Sequence, residues 1–374
     1  MSFLQLLHEA EVPALRARMH AVSDADVCSA LARSEPTFSD FLSLLSPAAA
    51  AHLESMAQRA HALTLQRFGR VIQLYAPVYL SNECTNQCAY CSFAVRNQVP
   101  RTTLSRADAL REASVLRAMG FQHLLLVSGE SRKAAPVDYF EQVLGDLRGH
   151  TASLALEVYP LETSEYERLV QAGADAVTLY QETYDPEAYR RVHPAGRKAD
   201  YAWRLHALER AGQAGVARLN VGALLGLHDW RADAIALGLH ASFLMRRFWR
   251  SQVAVSFPRL HRGPGGFVAP YPVADAELVQ MLLATRIFLP DAGIVLSTRE
   301  QQALRDALIP LGVTQMSAGS RTEPGGYTTP CEQGAQFDVQ DRRPPEQVAA
   351  VIRAQGYEPV WKDWDRAMSG GVAA

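Results

Sequence analysis

Eight apolar runs of strand length, separated by stretches of helix length, limit this chain more than any other feature. They fall at 71–79 (VIQLYAPVY), 123–128 (HLLLVS), 153–158 (SLALEV), 175–181 (DAVTLYQ), 218–224 (RLNVGAL), 252–257 (QVAVSF), 293–298 (GIVLST) and 313–318 (VTQMSA). Strands that alternate with helices are parallel, because each helix carries the chain back across the sheet. Eight such units fit a (β/α)8 TIM-like barrel, with an open doubly wound sheet as the competing arrangement. Local signals agree with the alternation. Ser105 stands before Arg106 as a helix cap, and Ser164 with Glu167 three residues on reads as a capping box. Gly120, Gly173 and Gly312 each stand between a helix and the next strand, where a left-handed closing residue is favoured.

The flanks differ from this core. Residues 1–70 read as an N-terminal helical extension, with a helix that starts after Ser46-Pro47, runs to Arg67 and has Gly69 beyond its end. Residues 71–320 form the barrel, and 321–374 form a C-terminal tail packed on it. The tail is irregular around Pro324-Gly325-Gly326 and Pro344-Pro345, with a helix near 345–355. Trp361 and Trp364 point to docking, since exposed tryptophan is costly. With 48% hydrophobic and 20% charged residues, the 374-residue chain is rich enough for a sizeable core. A net charge of −2 without a basic run excludes a nucleic-acid footprint and a membrane-surface helix. The N-terminus lacks the cationic start and apolar stretch of a signal peptide, and no apolar run reaches about 18 residues. A cytoplasmic protein with no membrane partner is expected.

Three of the five cysteines, Cys84, Cys88 and Cys91, crowd into eight residues directly after the first strand, while Cys28 and Cys331 stand apart. An odd count argues against a disulfide framework. Three thiolates on one loop can hold three irons of a cubane cluster and leave the fourth open. A structural zinc site would need another ligand, for which His61 and His123 are the candidates. The loop follows the C-terminal end of a strand, the catalytic face of a barrel.

The spacing Cys-x3-Cys-x-aromatic-Cys resembles the signature of radical S-adenosylmethionine (SAM) enzymes. That resemblance implies a [4Fe–4S] cluster on Cys84, Cys88 and Cys91, with SAM chelating the fourth iron. Further positions are similar to the family's SAM contacts. Tyr90 resembles the aromatic beside adenine. Ser128-Gly129-Glu130 resembles the Gly-Gly-Glu motif that receives the methionyl ammonium, with Ser128 departing from the first glycine. Glu157 resembles the ribose or amino contact, and Arg204 the partner of the cosubstrate carboxylate. Val221-Gly222-Ala223 resembles the fifth-strand motif beside adenine. Gln181 stands where some relatives carry a cosubstrate-binding arginine.

From about 71 to 365 the chain resembles the 2-iminoacetate synthases, the tyrosine lyases of bacterial thiamine biosynthesis. The stretches that carry this are 77–82 (PVYLSN), 120–127 (GFQHLLLV), 180–184 (YQETY), 256–260 (SFPRL), 297–300 (STRE) and 361–365 (WKDWD). The resemblance implies cleavage of the Cα–Cβ bond of L-tyrosine to 2-iminoacetate and p-cresol. It also implies an electron donor such as flavodoxin or ferredoxin, and a thiazole synthase that takes the product. Arg299 resembles the family's clamp on the substrate carboxylate, unless it serves instead as a partner for Glu300 or a helix cap. Ser317 resembles a second carboxylate donor, with Ser320 its close competitor. Tyr79 resembles the tyrosine near the substrate amino group. The tyrosine lyase of hydrogenase maturation is similar but carries clustered cysteines in a C-terminal extension, where this chain has only Cys331. Biotin synthase carries extra cysteines missing here. A tryptophan lyase on the same scaffold is the alternative reading.

Overall fold

The computed structural model describes residues 2–261, 263, 266–329 and 334–363. Each of the eight runs is a strand: β1 (Val71–Ser81), β2 (His123–Ser128), β3 (Ser153–Glu157), β4 (Ala176–Glu182), β5 (Arg218–Ala223), β6 (Gln252–Ser256), β7 (Gly293–Leu296) and β8 (Gln315–Ser317). All pairings are parallel and follow chain order, and β1 pairs with both β2 and β8. That double pairing closes the sheet into a barrel and excludes the open doubly wound arrangement. Successive side chains of a strand point to opposite faces. Leu124, Leu126, Leu154, Leu156, Leu179 and Val221 are buried in the main core, while the intervening Leu125, Ala155, Tyr180 and Asn220 line the barrel interior. Burial on both faces is why the strands read as continuous apolar runs.

Most of the helix punctuation holds. Ser105 caps the helix Arg106–Ala118 through a capping box with Asp108, and Gly173 closes the helix Thr163–Ala172 at φ 124. The box read at Ser164 and Glu167 is corrected. Glu162 is the N-cap, and Glu165, in the third helical position, accepts its N–H at 2.9 Å. The helix read as running from Ser46-Pro47 to Arg67 is two pieces. A 3-10 turn over Ala48–His52 is divided from Leu53–Phe68 by the non-helical backbone of His52 (φ −109, ψ 14).

The N-terminal helices pack against the outside of the barrel. Phe41 stacks on Phe288 at 4.6 Å, and Gln280 donates to the carbonyls of Leu44 and Ser46. Phe3 stacks on His240 with centroids 4.0 Å apart. In the tail, the helix Pro345–Ala354 leads to a short strand not read from the sequence, β9 (Glu358–Val360), which pairs with Val71–Gln73 of β1. Trp361 meets Phe121 edge-on at 5.1 Å, so this half of the tryptophan pair docks as expected. Trp364 and Cys331 lie outside the described residues. No helix among the described residues is long and apolar enough to cross a membrane.

Candidate active site

The cysteine loop leaves β1 at Ser81 and is tied at several points. Arg101 donates to the carbonyls of Asn82, Phe93, Ala94 and Asn97 at 2.7–3.1 Å, so one guanidinium holds four points of an otherwise irregular segment. Thr85 N–H donates to Glu130 O at 3.1 Å, Gln87 N–H to Ala195 O at 3.0 Å, and Ala89 N–H to Val192 O at 2.9 Å. The loop also presses on Gly129, where a Cβ would lie 2.3 Å from Glu83 O. Only glycine permits that approach.

None of the three thiols is in a disulfide. Cys84 and Cys91 pack on the same buried group of Tyr79, Phe93, Leu125 and Val127. Burial pushes the Cys88 and Cys91 thiols up, with nearby Lys198 pulling the other way. Among the described residues, no three His, Cys, Asp or Glu side chains are grouped as ligands of a single ion. A cubane makes a different demand, one thiolate at each of three corners, and three free thiols on one loop against the strand ends supply that donor set.

Beside the loop lies a buried network of alternating charge. Arg204 donates to Glu130 at 2.9 Å, to Glu182 at 3.4 Å and to the Tyr180 carbonyl at 2.7 Å. Lys198 donates to Glu182 at 2.7 Å, and Asn86 to Glu130 at 2.7 Å. Burial alone would raise Glu182, but Lys198 and Arg204 hold it at about 2. Glu182 sits at φ 74, in the left-handed region where a non-glycine residue is strained. Its neighbours are held from behind: Thr183 Oγ1 and Tyr184 N–H both donate to Asp233, at 3.0 and 2.8 Å. Burial pushes the Asp233 carboxyl up to about 7 against those two bonds.

Tyr90 hydrogen-bonds His193 Nε2 at 2.7 Å. Burial and Lys198 lower His193 to about 3, so the ring is neutral. Its Nδ1 faces the Tyr189 carbonyl at 2.9 Å and carries the proton, which leaves Nε2 to accept from the tyrosine. Tyr90 packs beside the apolar group of Leu224, Leu227, Leu260 and Phe267. Gly222 leaves room for a different ring, since a Cβ there would lie 2.3 Å from Tyr180.

Inside the mouth is a cavity of about 80 Å³ lined by Tyr79, Glu157, Glu182, Arg299, Ser317 and Ser320, among others. Arg299 has no carboxylate partner among the described residues, because Glu300 pairs with Arg259. The ring of Phe337 lies under its guanidinium at 3.6 Å. Ser317 Oγ accepts the Thr298 N–H at 3.1 Å, whereas the buried Ser320 hydroxyl has no partner among the described residues. Burial and the charge of Glu182 push Glu157 up to about 7, against the pull of Arg299.

Tyr79, Glu157, Arg299 and Ser317 therefore meet in one cavity, with Glu130, Arg204 and Tyr90 in the adjoining network. Gln181 meets neither. Tyr180 and Glu182 face inward, and Gln181 between them is buried without a partner for either amide atom among the described residues. The inward position at this strand end belongs to Glu182, which strand parity from Thr178 and Tyr180 identifies. Lys198, Gln336 and Phe337 were also not singled out from the sequence. Gln336 and Phe337 arrive on an irregular segment and Lys198 in the 3-10 turn Arg197–Ala199, where no long period marks them.

The profile of the Radical SAM superfamily matches residues 78–236, and that of the Biotin and Thiamin Synthesis associated domain matches 256–358. The chain is 46% identical to the 2-iminoacetate synthase of Escherichia coli (strain K12) over 352 residues, 94% of this chain and 93% of the relative. It is 44% identical to that of Salmonella typhimurium over 353 residues, with the same coverage. Among solved structures it is similar to the FeFe-hydrogenase maturase HydG from Carboxydothermus hydrogenoformans, at 32% identity and a TM-score of 0.87, covering 96% of this chain and 85% of that one.

Proposed function

This chain belongs to the 2-iminoacetate synthase family of radical SAM enzymes, and from that premise we propose how its own residues carry the reaction. The reaction cleaves the Cα–Cβ bond of L-tyrosine to 2-iminoacetate and p-cresol, with 5′-deoxyadenosine and methionine formed from SAM, and supplies the thiazole moiety of thiamine. When bound, the [4Fe–4S] cluster and SAM together supply the hydrogen-abstracting radical.

Cys84, Cys88 and Cys91 hold the cluster. Glu130 and Arg204 present one charge of each sign to the zwitterionic methionyl head, and Glu182 with Lys198 keeps Arg204 oriented. Tyr90 and the apolar group beside it suit a purine face. In the cavity, Arg299 takes the substrate carboxylate with Ser317 or Ser320 as second donor, and Tyr79 faces the substrate amino group. Glu157 stands between the two halves. The observation that carries this reading is Arg299: a guanidinium in a cavity with no hydrogen-bonded carboxylate among the described residues keeps its fork open for a ligand carboxylate. The same three-part organisation, 1–70, 71–320 and 321–374, is proposed for the chain. A flavodoxin or ferredoxin as reductant, a thiazole synthase as acceptor of the hydrolysis-prone product, and a cytoplasmic location complete the proposal.

Anaerobic reconstitution with dithionite, SAM and tyrosine should yield p-cresol and 5′-deoxyadenosine in step. Turnover of tryptophan without p-cresol would replace this reading with the tryptophan lyase.

A further inference from the structure

Two adjacent residues of the C-terminal tail touch two of the side chains assigned above to the substrate. Phe337 lies under the Arg299 guanidinium, and Gln336 Oε1 accepts the Tyr79 hydroxyl proton at 2.7 Å. Neither contact is local, since Tyr79 and Gln336 are 257 positions apart.

The segment that delivers them is anchored on both sides. Gln336 N–H donates to Thr322 O at 2.9 Å, and Thr322 Oγ1 to Phe337 O at 3.1 Å. A few residues on, Gln340 and Asp341 donate their N–H groups to Thr298 O, beside Arg299 itself. Asp341 is then locked between the buried Arg305 and Arg343, and Arg343 also grips Asp306 at 2.7 and 3.0 Å. The tail is therefore fixed to the ends of β7 and β8 at the point where it meets Arg299.

We propose that Gln336 and Phe337 are positioning residues that set the site for a free α-amino acid, each by aiming one recognition group. The inference rests on the reading of Arg299 and Tyr79 given above. A ring stacked on the flat face of a guanidinium leaves the in-plane N–H groups open, and a carboxylate binds in that plane. Phe337 thus turns the fork of Arg299 edge-on to the cavity. Donation of the Tyr79 proton to Gln336 leaves the phenolic lone pairs as acceptors, the polarity that an ammonium group needs. The pair together selects a substrate carrying both head groups.

The test uses the cluster-loaded holoenzyme and three ligands, with equilibrium dialysis beside the kinetics. The ligands are tyrosine, its desamino analogue 3-(4-hydroxyphenyl)propanoate, and its decarboxylated analogue tyramine. Phe337→Leu should weaken tyrosine and the desamino analogue about tenfold while leaving tyramine unchanged. Phe337→Tyr, which keeps the ring, should restore both. Gln336→Leu should show the reverse pattern, weakening tyrosine and tyramine several-fold and sparing the desamino analogue. Iron and sulfide content serves as the folding control. Equal weakening of all three ligands by Phe337→Leu, or of none, overturns the inference. Arg299→Ala separates the two levels. If it leaves tyrosine binding unchanged, the reading of Arg299 itself fails; if it weakens binding while Phe337→Leu does not, only the positioning role is lost.

Discussion

The two mouths of the barrel hold cavities of unequal size, and Tyr79, Glu157, Arg299 and Ser317 line the smaller. The N-terminal cavity has a volume of about 510 Å³ and the C-terminal one about 80 Å³, with Tyr75, Leu125 and Tyr180 bordering both. In the larger, each charged lining group has a partner in the protein. Arg218 meets Asp175 at 2.7 Å, His123 meets Asp363 at 3.1 Å, and Asp291 meets Arg67 at 3.4 Å. In the smaller, Arg299 has only an aromatic ring, and Glu157 has no hydrogen-bond or ion-pair partner among the described residues. A charged group left without a hydrogen-bonding partner in a confined place is costly, so such groups mark where a ligand can supply the missing bonds. Volume carries no such signal.

Four measurements break or sharpen this contrast. The largest effect is expected at the cysteine loop: Cys88→Ala should abolish iron and sulfide binding and 5′-deoxyadenosine formation. Retention of a full cluster would remove the loop from the site. Next, Glu182→Ala leaves Lys198 and Arg204 as buried like charges, and should cost about 3–5 kcal/mol in denaturant unfolding. A loss no greater than that of a surface change would show that the C-terminal network is not self-balancing.

The third concerns pH. The Asp233 carboxyl is raised in the folded chain from 3.8 to about 7, so the folded state holds the extra proton between those values. Stability should therefore fall as pH rises from about 4 to 7 on account of this group, and Asp233→Asn should make that slope shallower, leaving the share of Glu157, whose carboxyl is also raised to about 7. Asp363, at the opposite mouth, has the other sign. Burial would raise it, but His123 holds it below 3.8. Its contribution is present above that value and lost only as pH falls further, so Asp363→Asn should leave the slope between 4 and 7 unchanged. The smallest effect is at this same mouth: Asp363→Ala should lower stability by about 1 kcal/mol, with no change in the KM for tyrosine. A large KM effect would give the N-terminal cavity a part in substrate binding.

The eight strands were legible because a parallel barrel buries both faces of each strand, which writes the fold as apolar runs between glycine-closed helices. The cysteine loop was legible because its ligands are neighbours in the chain. β9 was not, being three residues whose pairing depends on the free lower end of β1. Ser164 was misread because the third position of that helix, Glu165, follows from where the helix starts, which the local sequence leaves ambiguous by one or two residues.

By itself, then, the sequence determined the barrel, the three thiols at the end of its first strand, and the strand-end residues Tyr79, Glu157, Arg299 and Ser317. The barrel and the thiols are marked by periodicity and short-range spacing, and the four strand-end residues by their resemblance to the family's site positions. Tertiary structure alone decided that Lys198 and Arg204 pair with Glu182, that Arg259 takes Glu300 away from Arg299, and that Gln336 and Phe337 reach the cavity. The reason is physical. These are contacts between loops or between distant elements, set by chain closure and charge balance in three dimensions, and no local pattern in the chain encodes them.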